Sequence, residues 1–250
     1  YDVPKYNSGT DSFPMQTSHE NIKKNESQLI ESSKQATQQE DIRTDRSFDT
    51  IADHFEKKVY GGLKGDIRLA VLRRDIFEYS TQMRQKLGRP LRILDVGAGL
   101  AQIAIELATQ GHSVVINDIS ANMLEKAQAS VAQIDKDWDL KDLDITWYVC
   151  PYQALQDKLA KETNKFDLIM SHALLEWLAE PAKVMDFFDQ HLTDDGALSL
   201  CFYNPASFDY RNLIMGNFNL LDNTDYKADN KKSLTPNHPV AKEEGESWLA

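Results

Sequence analysis

The chain has 250 residues, 41% of them hydrophobic, and a formal net charge of −11. A chain of this length and composition can bury one sizeable core and little more, and we expect neither a signal peptide nor a membrane span, because no apolar run has the required length. The two cysteines, Cys150 and Cys201, lie in apolar stretches, which predicts small core residues in a reducing, cytoplasmic setting.

The charge is unevenly distributed along the chain. Residues 57–92 carry ten Lys and Arg against three Asp and Glu, a net charge of +7, whereas the residues from 93 onward carry −13. The negative total argues against nucleic acid as a partner, but such a basic segment could bind a polyanion locally, with an affinity that falls steeply with salt. A solvated helix face explains the same charges, and the sequence leaves both interpretations open.

The N-terminal part divides at about residue 46. Residues 1–46 are rich in polar residues and lack a sustained hydrophobic period, which predicts a disordered tail. Residues 47–90 are predicted to form a basic helical cap of two helices, because apolar residues recur there at helical spacing. The second helix is expected from about Lys64 to Leu87. Its residues that we expect to face inward include Ile67, Val71 and Phe77.

From residue 91 onward, strands and helices alternate. This alternation predicts an α/β fold with a Rossmann-like, doubly wound and mostly parallel sheet. The predicted strands are 91–96, 113–117, 145–149, 166–171 and 196–203, and the predicted helices are 100–110, 121–134, 153–161 and 181–191. We assign residues 91–204 to this core. We assign residues 205–250 to a substrate-side insertion and the start of a further C-terminal part.

The most informative motif is a glycine turn followed by an acid at the end of the next strand. The sequence Leu94-Asp95-Val96-Gly97-Ala98-Gly99 closes one buried strand, and Asp118 closes the next. Glycines at such a turn let the backbone approach a ligand closely, and the acid can accept hydrogen bonds from both hydroxyls of a ribose. The motif therefore predicts a nucleotide-type site, with Gly97 and Ala98 near the ligand.

Two nucleotide-type ligands are compatible with this motif. Gln102 stands where the dinucleotide fingerprint requires glycine or alanine, which argues against a nicotinamide dinucleotide. Asp95, two residues before the first glycine, is typical of enzymes that use S-adenosylmethionine. We therefore favour a methyl donor. A plain strand-end turn, with Asp118 capping the next helix, explains either half of the motif but not the pair.

The residues that follow the other strands are candidates for further contacts, because ligands of parallel sheets bind beyond the carboxyl ends of the strands. Tyr152 could stack on an adenine ring, or it could be an ordinary core aromatic. His172 would face the donor and the incoming substrate, or it could be a satisfied loop residue. Tyr203 and Asn204 are polar candidates near the methyl group. The six histidines show no ligand spacing, so we expect no metal.

Several short blocks outside the glycine motif are restrictive in combination. They are Val59-Tyr60-Gly61 with Lys64-Gly65 and Arg68, Asp118-Ile119-Ser120, His172-Ala173 with Leu175-Glu176-Trp177, Phe202-Tyr203-Asn204, Gly216-Asn217-Phe218 and Leu234-Thr235-Pro236. With these blocks, the span from Phe48 onward, roughly 200 of the 250 residues, resembles the tRNA 5-carboxymethoxyuridine methyltransferases, which act on the wobble uridine.

The resemblance implies a class I methyltransferase fold and S-adenosyl-L-methionine as the methyl donor. The acceptor it implies is the carboxylate of 5-carboxymethoxyuridine in a tRNA anticodon loop, which would become a methyl ester. Together with the glycine motif it assigns the donor contacts to Arg68, Asp95, Gly97, Ala98, Gly99, Asp118, Tyr152 and His172. The candidates for orienting the acceptor are Tyr60, Tyr203, Asn204 and Arg211, and those for stacking on its base are Tyr60, Phe208, Tyr210 and Phe218.

Other interpretations remain compatible with the sequence. One is a methyltransferase that acts on a small molecule such as a quinone precursor. Another is a non-catalytic module that binds S-adenosylmethionine or RNA. The nicotinamide oxidoreductase is the third, and the sequence indicates no particular oligomeric state.

Overall fold

A computed structural model gives the structure of the protein, and it describes residues 62–138, 143–160, 164–221 and 240–249, with the backbone alone for residues 135–138 and 220. Three predictions lie outside the described residues: the disordered tail 1–46, the first helix of the cap, and the position of Tyr60.

Helices and strands alternate through most of the described chain. In chain order they are α1 (Gly62–Leu87), β1 (Arg92–Val96), α2 (Gln102–Thr109), β2 (Ser113–Asp118), α3 (Ala121–Trp138), β3 (Ile145–Val149), α4 (Tyr152–Leu159), β4 (Phe166–His172), α5 (Lys183–His191), β5 (Leu192–Cys201), α6 (Ala206–Met215), α7 (Phe218–Leu221) and α8 (Lys242–Ser247). A short 3-10 turn, Leu175–Trp177, follows β4.

The five strands form one sheet in the order β3-β2-β1-β4-β5, and every neighbouring pair is parallel. The chain moves outward from β1 through β2 to β3 and then returns to place β4 on the other side of β1. Ligands of doubly wound sheets bind at the carboxyl ends of the strands where the direction reverses, which here is between β1 and β4. The predicted α/β fold is confirmed, and these strands are all parallel rather than mostly so.

Successive residues of β1 point to opposite faces of the sheet, and helices cover both faces. Ile93 packs with residues of α1, α2 and α3, whereas Leu94 and Val96 pack with residues of α4 and α5. Asp95 lies between Leu94 and Val96 and is buried near the end of β1, where its neighbours along the strand are apolar. A buried acid among apolar neighbours is costly, so its position indicates a role other than packing.

The inward face of α1 differs from the prediction. Ile67 and Val71 are 56% and 44% exposed, so the expectation that they face inward is wrong, whereas Phe77 packs against the core as expected. The buried stripe is formed by Leu69, Leu72, Ile76 and Met83, which recur at helical spacing. Helix α1 is therefore rotated about its axis from the predicted orientation, in which Ile67 and Val71 would face the core.

The predicted bounds of two core elements also differ from the structure. The helix after the glycine turn begins at Gln102 rather than at residue 100, because Ala101 at its N-cap adopts a left-handed conformation with φ of 50°. The last strand begins and ends earlier than the predicted 196–203, since β5 covers Leu192–Cys201. Tyr203 and Asn204 consequently lie in the segment beyond β5.

At the opposite end of the sheet, Asp167 joins the start of β4 to the start of β1. Its buried carboxylate accepts two hydrogen bonds from the Arg89 guanidinium, at 2.8 and 3.0 Å, and one from the Arg92 amide at 2.9 Å. The Tyr79 hydroxyl of α1 donates to the Asp167 carbonyl at 3.2 Å. These bonds hold the central pair of strands and α1 in register.

We expect Asp167→Ala to lower the free energy of unfolding by about 2 kcal/mol, because it leaves a buried backbone amide without its acceptor. Urea unfolding would measure the loss. The matched control is Asp195→Ala, which removes the exposed partner of Lys86 and should change stability by less than about 0.5 kcal/mol. Equal effects of the two variants would contradict the assignment.

Candidate functional site

A cleft lies at the carboxyl ends of β1 and β4, where the strand order reverses. Its walls come from α1, from the turn after β1, from the start of α2 and from the ends of β4 and β5. The lining residues are Arg68, Leu69, Leu72, Asp95, Gly97, Ala98, Ala101, Gln102, Ile103, His172, Ala173 and Cys201. Helix α1 therefore forms part of the site.

The glycine turn has the conformation that its sequence predicted. Gly97 and Gly99 have φ of 69° and 56°, a left-handed region that residues with a side chain rarely adopt. A Cβ atom added at Gly97 would lie 2.8 Å from Cδ1 of Leu174, so the position is also sterically closed. The Ala98 amide donates to the Asn117 carbonyl at 3.0 Å, which extends the pairing of β1 and β2 into the turn.

Asp118 holds the glycine turn in place from the tip of β2. One carboxylate oxygen accepts a hydrogen bond from the Gly99 amide and the other from the Ser120 amide, each at 2.8 Å. A carboxylate oxygen can accept more than one hydrogen bond, which is the chemistry that a hydroxyl-bearing ligand requires of its partner. A residue expected to contact a ligand is thus also an organiser of the turn.

Asn117, the residue before Asp118, has a structural role that was not predicted from the sequence. Its buried Nδ2 donates to the carbonyls of Tyr148 at 3.0 Å and Cys150 at 2.7 Å, and so joins the ends of β2 and β3. The sequence does carry a signal for this role. Asn117 is a polar residue at the end of the apolar run Val114–Ile116, and a side-chain amide buried there requires hydrogen-bond partners.

Asp95 lies at the base of the cleft. Burial, and next the nearby charge of Asp118, raise the pKa of the Asp95 carboxyl to about 7. Two carboxyl groups so close together cannot both ionise cheaply in a buried site. A cation bound in the cleft would favour the ionised form of Asp95. The two carboxyl groups, Asp95 and Asp118, therefore suit a positively charged ligand.

His172 at the end of β4 and Arg68 on α1 both line the cleft. Burial, and next the charge of Arg68, lower the pKa of the His172 imidazole to about 4, so the ring is neutral at pH 7. The ring Nε2 lies 3.0 Å from Oγ of Ser199 on β5. The site therefore combines one permanent cation with a neutral imidazole.

The 3-10 turn after β4 carries a buried carboxylate. Glu176 is 4% exposed, and no hydrogen-bond partner within the described residues reaches its Oε2 atom. Burial raises the pKa of Glu176, and the nearby backbone amides of Glu176 and Tyr203 and the Arg68 charge oppose that shift. The carboxylate therefore lies near the Tyr203 backbone, in the segment after β5.

The predicted site residues do not all come together. The cleft is lined by five of them: Arg68, Asp95, Gly97, Ala98 and His172. Beside the cleft, the Gly99 amide donates a hydrogen bond to Asp118. The predicted residues outside the lining are Tyr152, Tyr203, Asn204 and Arg211.

These four residues have different surroundings. Tyr152 is buried and packs edge-to-face on Phe187, with ring centroids 5.8 Å apart, in the position that the core-aromatic interpretation predicted. The Oδ1 atom of Asn204 accepts a hydrogen bond from the Ala206 amide at 2.9 Å, at the start of α6. Arg211 is exposed on α6.

Many basic side chains of residues 57–92 are engaged within the protein. Arg73 pairs with Glu106, Arg89 with Asp167 and Arg74 with Asp75, and Lys86 pairs with Asp195. Arg84 donates to the Gln110 carbonyl at 2.6 Å. The net charge of the segment therefore overstates the number of cations available to a polyanion.

In the part of the chain that the structure describes, no three His, Cys, Asp or Glu side chains are grouped so as to hold a metal ion. None of its helices is both long enough and apolar enough to cross a membrane.

Residues 69–236 match a family model described as a methyltransferase domain. The fold and this match define the class of the protein: it is a class I methyltransferase that takes its methyl group from S-adenosylmethionine. Two curated relatives, from Escherichia coli strain K12 and E. coli O157:H7, are each 34% identical over 206 residues, which is 82% of this chain and 74% of theirs. Both are named tRNA 5-carboxymethoxyuridine methyltransferase. The chain belongs to that family.

Solved structures with a similar fold are more distant. The plantazolicin methyltransferase BpumL in complex with SAH is 14% identical, with a TM-score of 0.41 over 54% of this chain and 48% of that one. The bifunctional kinase-methyltransferase WbdD is 19% identical, with a TM-score of 0.42 over 53% of this chain and 28% of that one.

We expect Asp95→Asn to stabilise the unliganded protein increasingly as the pH rises. The unfolded chain releases this proton near pH ~3.9 and the folded chain near pH 7, so the folded state binds more protons between these values, and wild-type stability falls as pH rises through that window. The advantage of the variant should grow by about 2 kcal/mol between pH 5 and pH 8, measured by urea unfolding. The control is Asp157→Asn, the same change at an exposed position on α4.

Proposed function

We propose that the protein transfers a methyl group from S-adenosylmethionine to the carboxylate of 5-carboxymethoxyuridine at the wobble position of tRNA, forming the methyl ester. The observation that carries this proposal is the 34% identity with the two relatives of that name, sustained over 206 residues. A tRNA substrate also agrees with the cytoplasmic location expected from the sequence.

The residues of the cleft fit the donor. Arg68 supplies a guanidinium that can bind a carboxylate with two hydrogen bonds, and the Asp118 carboxylate is an acceptor suited to ribose hydroxyls. The backbone at Gly97 and Ala98 lines the cleft without a large side chain. Tyr152, buried at the start of α4, would contribute to the adenine end by packing.

The acceptor requires positioning rather than activation. A carboxylate is already ionised at pH 7, so no general base is needed to create the nucleophile. The donor supplies an electrophilic methyl group on a positively charged sulfur. Neutral His172 adds no second cation beside Arg68, and Asp95 provides an anion that the donor's charge can hold ionised. Most of the acceleration would come from holding the reacting groups in line.

The segment after β5 suits the recognition of a splayed base. The Tyr203 backbone lies near the Glu176 carboxylate. The Oδ1 atom of Asn204 is occupied at the start of α6, which leaves its Nδ2 as a donor for the acceptor carboxylate. Tyr210 and Phe218 are 67% and 58% exposed on α6 and α7. Exposed aromatic rings are the surfaces on which unpaired RNA bases commonly stack. Arg211 would serve as a further cation on α6.

We expect Arg68→Ala to raise the Kd for S-adenosylmethionine roughly 10-fold to 100-fold, as the loss of charge-assisted bonds predicts. Arg68→Lys should lie between, because an ammonium cannot bind a carboxylate with two parallel bonds. Isothermal titration calorimetry would measure both. The control is Arg74→Ala, an exposed arginine on the same helix that pairs with Asp75. Unchanged donor affinity in Arg68→Ala would remove Arg68 from the donor site.

We expect methyl transfer to a tRNA that carries 5-carboxymethoxyuridine, and none to the same tRNA with an unmodified wobble uridine. Mass spectrometry of the digested nucleosides would identify the product. Mild alkali should remove the new methyl group, because an ester hydrolyses where a base or ribose methyl does not. Turnover of a free small acid with no change in the tRNA would favour the small-molecule alternative instead.

A further inference from the structure

The carboxyl group of Asp95 lines the cleft without a partner in the protein. The side chain is 6% exposed, and within the described residues no hydrogen bond or ion pair reaches its oxygens. Those oxygens are not sealed inside the core, in contrast to the Oε2 atom of Glu176. A buried carboxyl group with no protein partner is stabilised either by its own proton or by a ligand.

The neighbouring carboxylate of Asp118 makes the proton the favoured choice in the unliganded protein. Both of its oxygens accept hydrogen bonds from backbone amides, those of Gly99 and Ser120, which stabilise its ionised form. The resulting negative charge disfavours a second one on Asp95. The two carboxyl groups therefore divide their states, with one ionised and the other protonated.

The other charged or titratable groups around the cleft leave Asp95 without a counter-ion. The charge of Arg68 on α1 acts on His172 of β4, Glu176 of the 3-10 turn and Cys201 of β5, whereas the charge that acts on Asp95 is that of Asp118. The imidazole is neutral at pH 7. The glycine turn and α2 contribute no charged side chain to the cleft lining. A cation beside Asp95 must come from a ligand.

We propose that Asp95 exchanges its proton for a cationic group of the methyl donor, so that the donor binds with release of a proton from the cleft. The O–H bond of the carboxyl group breaks, the proton passes to solvent, and the carboxylate that remains pairs with the cation. S-adenosylmethionine carries two such groups, its sulfonium and its ammonium. Only the donor takes part in this exchange, which is therefore independent of the acceptor that is methylated.

The two cations differ in what happens after methyl transfer. The sulfonium becomes a neutral thioether, so a carboxylate paired with it would lose its counter-ion, take up a proton again and bind the product less tightly. The ammonium is unchanged by the reaction, so a carboxylate paired with it would hold donor and product alike. The two sources are therefore distinguished by comparing S-adenosylmethionine with S-adenosylhomocysteine, which keeps only the ammonium.

The first test counts protons by isothermal titration calorimetry in two buffers of different ionisation enthalpy. Because the pKa of Asp95 is about 7, S-adenosylmethionine should release about 0.9 protons from the wild-type protein at pH 6 and about 0.5 at pH 7. Asp95→Asn should lack this release, and its titration also measures any proton that the donor's own ammonium contributes. Asp157→Asn, the same change at an exposed position on α4, should release as many protons as the wild type.

The same titrations with S-adenosylhomocysteine identify the cation. Release with both ligands assigns the ammonium, and release with S-adenosylmethionine alone assigns the sulfonium. Wild-type protein that releases no proton to either ligand at pH 6, or Asp95→Asn that releases as many as the wild type, overturns the proposal. The wild-type counts at the two pH values decide the question even if Asp95→Asn fails to fold.

Donor affinity gives a second measurement, which a merely structural role of Asp95 would not move. The wild type must release its proton to bind at pH 6 but is already largely ionised at pH 7.5. The factor by which Asp95→Asn raises the Kd for S-adenosylmethionine should therefore grow roughly fivefold to tenfold between these two pH values. A factor that stays constant with pH overturns the exchange.

Discussion

At the carboxyl end of the sheet, the carboxylate of Asp118 accepts hydrogen bonds from the amides of Gly99 and Ser120. These bonds join the turn after β1, the tip of β2 and the segment that leads into α3, and they add to the Ala98–Asn117 backbone bond between the first two. A buried carboxylate is stabilised by backbone amides that would otherwise lack acceptors. The conformation of the glycine turn therefore depends in part on this one side chain.

The charges around the cleft are arranged for a ligand that carries both signs. Asp95 is hard to ionise because it is buried near Asp118, and His172 is hard to protonate because it is buried near Arg68. A sulfonium and an ammonium favour the ionised carboxyl, and a carboxylate is attracted to the guanidinium. The two perturbed groups have opposite effects on stability below pH 7, so each partly conceals the other in the wild-type protein.

The helix α1 serves the sheet and the site together. Arg73 of α1 pairs with Glu106 of α2, and Arg68 of the same helix lines the cleft. Arg89, in the turn that follows α1, pairs with Asp167 of β4. Because these cations are satisfied within the protein, electrostatic attraction to RNA would be weaker than the segment's charge suggests. Contacts by the exposed aromatic residues of α6 and α7 would then contribute a larger share of acceptor recognition.

The sequence by itself determined the alternation of strands and helices, the glycine turn and the acid at Asp118, because hydrophobic period and glycine placement are local properties. It also identified the family, through short blocks such as His172-Ala173. Tertiary structure decided the strand order, the rotation of α1 that exposes Ile67 and Val71, and the contacts of Asn117, Glu176 and Ser199. These features depend on which segments meet across the sheet, and a pattern read along one chain does not contain that information.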